Sequence, residues 1–333
     1  MTEYVDNIVQ TRTRKPFVIL KGPFSGSKNY VSSHRISIVQ YLNTAPLVRG
    51  FTFGPLSGKY QLSFTVPSQC AEALRRGDVD IAIIPAIELE RIDGLVVLPN
   101  LSISSKKSVR SLLLVSKKPI QEIRRIALDR SSRSTQTLVR ILCAKRWHIA
   151  PEFFQSVPDL PWMLEQADAA LLIGDPALRL ALNAEASFTR DAAGEVLFPA
   201  EFAGLASSSP LLLYDIVEQW RAFTSLPAVL AVWAARREAA TPEVIQDFQD
   251  SLALGMQHLP AISAEASRVL RLPEHKLRRY LTDNIDYALD EENLRGLQRY
   301  YDLAAELNLI QQAKPLQIAG FDASPEFAAV RRT

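Results

Sequence analysis

A chain of 333 residues, 47% hydrophobic and 22% charged, has the composition of a globular protein and enough length for two folded units. Its formal net charge of +2 provides no field that would draw nucleic acid or an anionic membrane, so neither is expected as a partner. Two cysteines, Cys70 and Cys143, make no disulfide framework, and four scattered histidines show no pair at metal-ligand spacing, so no metal site is expected.

In chain order, residues 1–33 read as a polar, breaker-rich extension whose disorder is left open. Its one apolar run, Phe17–Leu20, falls short of the roughly 7–15 residues of a signal-peptide core, and no stretch approaches the roughly 20 residues that span a bilayer. A cytoplasmic protein is expected. Arg35–Val39 alternates like a strand. It runs into Tyr41-Leu42-Asn43-Thr44-Ala45-Pro46-Leu47, where Pro46 is suited to open a helix and Asn43 or Thr44 to cap it. A strand that feeds a helix start directs free N–H groups and a positive dipole end at one spot, favouring a carboxylate or a phosphate.

The βα rhythm continues with a strand at Gln61–Val66, a helix from Pro67 to Arg76 closed by Gly77, and a buried strand at Val79–Pro85. This spacing predicts a parallel sheet covered by helices. A short helix at Ala86–Arg91, extended segments at Leu95–Pro99 and Leu101–Ser104, and a longer strand at Val109–Val115 follow. A second unit opens with a strand at Ile126–Asp129, the hydroxyl-rich loop Arg130–Thr135 and a helix from Thr137 to Trp147. Ala169–Ile173 is another strand running into a helix start at Gly174-Asp175-Pro176, and Tyr214–Phe223 reads as helical. Leu226–Ala234 is a second long strand, and from Pro242 to Ala313 the pattern is helical, with breaks near Pro260 and Pro273. Two long strands flanking a smaller α/β unit suggest two lobes joined by a two-strand hinge. The first comprises residues 34–116 plus 226–333 and the second 117–225, with a ligand cleft between them.

The heptapeptide Tyr41–Leu47 resembles the signature of the chorismate dehydratases of the futalosine route to menaquinone. Further matches come in the same order: Gly77–Ala82 with Pro85, Val109-Arg110-Ser111, Leu128–Arg133, Ala167–Asp175, Tyr214-Asp215 with Trp220, and Leu226-Pro227 with Ala231-Val232-Trp233. The resemblance spans about residues 34–315. It implies an α/β, two-lobed, type II periplasmic-binding-protein-like fold with two hinge strands and a helical C-terminal region. It also implies loss of water from chorismate, without a cofactor, to give 3-[(1-carboxyvinyl)oxy]benzoate, and chorismate as the partner, with a homodimer left open. By resemblance Asn43 and Ser111 are the catalytic candidates, one donating to the leaving hydroxyl or holding a carboxylate, the other bonding or relaying a proton. Thr44, Ser132, Arg133, Ser134, Thr135 and Asp175 are the candidates for substrate binding, with Asp175 equally readable as a cap. Trp220 and Trp233 read as core and hinge packing. The chain departs from the family pattern in three places. Lys106-Lys107-Ser108 stands where a Gly is usual and brings two lysines to the expected cleft rim, Ser132–Thr135 reorders a Ser-Arg-Thr-Ser loop, and Val217 replaces a Gly. Two other readings of such a chain are a non-catalytic carboxylate-binding or sensor protein, and a dihydroxynaphthoate synthase-like enzyme. The latter is expected to open on a different motif, and the former to carry a signal peptide or a lipidated cysteine.

Overall fold

Aliphatic runs with both faces buried become strands wherever the chain can pair them, and here they pair into two separate sheets. A computed structural model describes residues 34–207 and 209–320; the extension 1–33 lies outside them. The first sheet has the order β2-β1-β3-β12-β4, built from β1 (Arg35–Val39), β2 (Gln61–Thr65), β3 (Ile81–Pro85), β4 (Leu95–Ser105) and β12 (Ala228–Arg236). The second has the order β7-β6-β8-β5-β11-β10-β9. Its strands are β5 (Leu112–Ser116), β6 (Arg125–Asp129), β7 (Glu152–Ser156), β8 (Ala169–Ile173), β9 (Thr189–Arg190), β10 (Val196–Phe198) and β11 (Leu211–Asp215). β1, β2 and β3 are mutually parallel, as are β6, β7 and β8, in keeping with helical crossovers. The sheets are nevertheless mixed, not purely parallel, because β12 runs antiparallel to β3 and β4, and β5 antiparallel to β8 and β11.

The chain crosses between the sheets twice, through residues 106–111 and 225–227. β5, grouped with the first lobe on sequence, bonds wholly within the second sheet, so the first crossing precedes Leu112 and does not follow Ser116. The two extended segments expected at 95–104 are one strand, with Asn100 at φ 60° in its middle. Tyr214 and Asp215 end a strand instead of opening a helix, since Leu212–Asp215 pairs with β5 and the helix begins at Ile216. The C-terminal region is helical as expected: Pro242–Gln257, Leu259–Leu270, Glu274–Arg279, a wider π-type turn over Tyr280–Asn284, and Glu291–Glu306. Between the last two, Asp286 bridges back to Ser104 at the edge of the first sheet. Trp220 and Trp233 are fully buried, and the Trp220 indole donates to Pro227 O at 2.9 Å, across the second crossing.

Asp215 ties the first crossing to the start of the helix after β11. One carboxylate oxygen accepts from Val109 N (3.0 Å) and Arg110 N (2.7 Å), the other from Val217 N (3.0 Å) and Glu218 N (3.2 Å). An amide has only one acceptor oxygen, so Asp215→Asn leaves two of the four donors unpaired, at about 1–3 kcal/mol each where buried. A loss of about 2–4 kcal/mol in urea unfolding is expected; an unchanged midpoint would show that the two lost bonds contribute nothing.

Candidate functional site

The carboxyl ends of β1, β2 and β3 meet those of β6 and β8, and the cleft between them is lined by residues at or just beyond those ends. Val39, Asn43, Pro67 and Pro85 come from the first half; Ser132–Thr135, Ile173 and Gly174 come from the second. Ser111 joins them because β5 runs antiparallel to β8, with Leu112 opposite Ile173, which brings the amino end of one strand beside the carboxyl end of the other. Of the candidates read from the sequence, Asn43, Ser111, Ser132, Arg133, Ser134 and Thr135 line this one cleft, whereas Thr44 and Asp175 do not.

The turn after β1 differs from the capped helix expected of it. The chain makes two tight 3₁₀ turns, Leu42–Thr44 and Pro46–Val48, before one short helix at Arg49–Phe53, and neither Asn43 nor Thr44 caps anything. The donor left free at the first turn, the buried Leu42 N, is instead taken by Asp175 Oδ1 at 3.0 Å, from the start of the helix after β8. That bond explains both outcomes. Asp175 supports the turn from behind, and the Asn43 amide is left to face the cleft, with a long contact from Thr44 Oγ1 (3.4 Å) within the turn and an interaction with the Tyr280 phenol. The turn is fixed from its other side by Ser251, which accepts from Gly50 N (2.9 Å) and donates to Leu47 O (2.8 Å).

Asp175 is one of three acceptors that the second half offers to helix starts of the first. Ser68 N, in the turn after β2, donates to Ser131 O at 3.1 Å, and Ile87 N, after β3, donates to Ser134 Oγ at 3.3 Å. Tyr41 lies against Gly174, and its phenol reaches Ser131 Oγ at 3.5 Å.

The helix after β6 starts at Ser134, three residues before the sequence pattern suggested, and no side chain caps it. Its first N–H groups and dipole therefore point into the cleft beside the hydroxyls of Ser132, Ser134 and Thr135, an arrangement that favours an anion. Arg133 is partly exposed at the rim, with Nη1 4.0 Å from the buried Glu88 carboxylate. Lys106 lies outside the cleft lining: Asp290 at 2.6 Å and Glu292 at 3.1 Å hold its ammonium.

Nothing in the sequence pattern singles out Tyr280. It comes from the C-terminal π-type turn, is buried, and donates from its phenol to Ser111 Oγ at 2.9 Å while interacting with Asn43; Ser111 in turn donates to Val109 O at 3.3 Å. Its neighbours Leu277 and Leu281 read as an ordinary apolar helix face, so only the register of the turn marks Tyr280 as polar machinery. Burial raises the Tyr41 and Tyr280 phenols well above their ordinary range, so both are donors, not bases, at neutral pH.

Below Tyr41, Asp129 Oδ1 accepts from Ser131 N (2.9 Å) and Ser131 Oγ (2.7 Å), yet burial still raises the carboxyl above its usual 3.8. A raised native value means that this group contributes its full stability below about pH 3.8 and loses it as the pH rises through the native value. The neutral Asp129→Asn is thus expected to gain melting temperature relative to the native chain as the pH rises above about 4. A difference that stays flat across that range would contradict this.

A family model described as menaquinone biosynthesis matches residues 34–306. A chorismate dehydratase of Thermus thermophilus is 28% identical over 269 residues, 80% of this chain and 93% of that protein. Among solved structures, a protein from Archaeoglobus fulgidus superposes with a TM-score of 0.63 at 17% identity, over 84% of this chain and 98% of that one. The alkanesulfonate-binding protein SsuA of Xanthomonas axonopodis pv. citri, solved with bound MOPS, gives 0.57 at 16% identity, over 87% and 98%. The fold is that of the periplasmic binding proteins, with a helical C-terminal region.

Proposed function

The chain belongs to the menaquinone biosynthesis family, and from that premise we propose that it is a chorismate dehydratase, eliminating water from chorismate to give 3-[(1-carboxyvinyl)oxy]benzoate. The observation that supports this most is the chemistry of the cleft lining. It offers an amide, several hydroxyls, an uncapped helix start and one arginine, while no Asp, Glu, His or Lys stands among the described residues that line it. Such a donor array suits a substrate with two carboxylates, one of which serves as the base.

One substrate carboxylate rests on the helix start at Ser134 with the hydroxyls of Ser132, Ser134 and Thr135, and Arg133 faces it from the rim. The other carboxylate takes the ring hydrogen. The C–H electron pair becomes the new double bond, the neighbouring C–O pair leaves with the hydroxyl, and the abstracted proton completes the water. Asn43 donates to the departing oxygen as charge gathers on it, and Ser111, fixed by Tyr280, steadies the ring end of the substrate. The product is aromatic, so the protein's contribution is mostly position and dryness.

The test is incubation of the purified chain with chorismate and chromatographic detection of 3-[(1-carboxyvinyl)oxy]benzoate. Its appearance with turnover supports the assignment. Saturable chorismate binding with no product would make the chain a carboxylate binder of the same fold, and absence of both would reject chorismate as its ligand.

A further inference from the structure

Beside the cleft, a second concavity of about 500 Å³ runs along the outer face of the helix Ser134–Lys145, a size typical of small-molecule sites. Arg133 and Arg140, seven residues apart, share one face of the helix. Arg130 reaches the groove from the turn after β6, and Arg91 from the other half of the molecule, after β3. Arg133 is the one described residue that lines both this groove and the cleft.

The charges in the groove are unbalanced. The nearby carboxylate, Glu88, is fully buried and already engaged by Arg75 and, at 3.0 Å, by Arg91, with Arg133 at 4.0 Å. Arg130 and Arg140 form no ion pair within 4.0 Å among the described residues, the buried Asp129 carboxylate acting on Arg130 only from farther off. Arg140 stacks 4.2 Å over the Phe153 ring, which holds the planar group by its face and leaves its N–H edge for a ligand. Its partial burial disfavours the charged form, a cost that an arriving anion would remove. A nucleic acid or membrane would need a longer basic surface than a chain of net charge +2 presents.

We propose that this groove is a binding site for a small multivalent oxyanion, a metabolite carrying phosphate or several carboxylates, gripped by the forked donors of Arg91, Arg130, Arg133 and Arg140. Because Arg91 belongs to one half and the other three to the second, an anion held here ties the two halves together at the rim of the cleft. The groove shares Arg133 with the cleft, but the assignment is tested by binding and not by turnover.

Titration calorimetry of the full chain with inorganic pyrophosphate and, separately, with citrate tests it. Saturable one-to-one binding of at least one probe is expected. The affinity should fall at least tenfold in Arg130→Gln/Arg140→Gln and by a smaller factor in Arg130→Gln alone, whose exposed side chain the fold does not need. The tighter probe identifies the chemical source, phosphate or carboxylate. Binding of neither probe, or binding by the double variant as tight as by the native chain, would overturn the proposal.

Discussion

Asn43→Ala is expected to lower kcat/KM for chorismate by about 10²–10³-fold, the usual effect of removing one donor aimed at developing negative charge, while the melting temperature stays within a few degrees. The two effects separate because of how the turn is built. The Asn43 side chain caps no helix, and its one close contact within the turn is the 3.4 Å approach of Thr44, whereas the turn itself is held by Asp175 behind and Ser251 beside it. Truncation therefore removes a group that faces the cleft and little that supports the fold. Steady-state kinetics with a thermal melt on the same preparation would decide. A kcat/KM within about threefold of the native value would take Asn43 out of the chemistry, since a donor to the leaving oxygen cannot be lost so lightly.

The second large effect is expected from Gly174→Ala. Gly174 sits at φ +67°, and a Cβ built there would stand 2.6 Å from carbons of the Tyr41 ring. The left-handed conformation alone costs an alanine about 1 kcal/mol, which for a chain of this size is a few degrees of melting temperature. The collision is a different matter, because Tyr41 belongs to the first half and Gly174 to the second. Relief by parting the halves would separate Asn43 from Ser111 and the helix start at Ser134. Turnover is expected to fall at least about tenfold, with a modest loss of stability and a larger radius by small-angle scattering. Native turnover in this variant would show that the approach of Tyr41 to Gly174 is not needed.

Much of this arrangement was legible in the chain. Three of the five strand ends that carry the cleft are marked by a Pro or Gly, namely Pro67 beyond β2, Pro85 at the end of β3 and Gly174 after β8, and Asn43, Ser111 and the Ser132–Thr135 loop stand out in the sequence alone. The losses have physical causes. Tyr214-Asp215 read as helix because the leucines before it are buried on both faces and carry no period-2 signature. β7 was missed because Glu152–Ser156 is half exposed and alternates poorly. The capping role assigned to Asn43 or Thr44 went to Asp175, which lies 133 positions from Leu42 and was reached by tertiary structure alone. Tyr280 could not be told from a core aromatic, since its hydroxyl gains a partner only once the C-terminal turn folds over the crossing.

The three N–H groups that the first half hands to the second have a kinetic consequence. Each is a single neutral or charge-assisted bond, worth about 0.5–1.5 kcal/mol net against water, so together they favour the shut molecule by only a few kcal/mol. If these bonds set the balance between shut and open, a gap of that size would keep a gaping minority of about 0.1–10% of molecules at equilibrium. A small ligand entering through such a minority would have its association rate constant scaled down by the same fraction. Weakening any one of the three bonds should then quicken arrival and departure together, so the row Leu42, Ser68 and Ile87 sets the pace at which the cleft exchanges its contents.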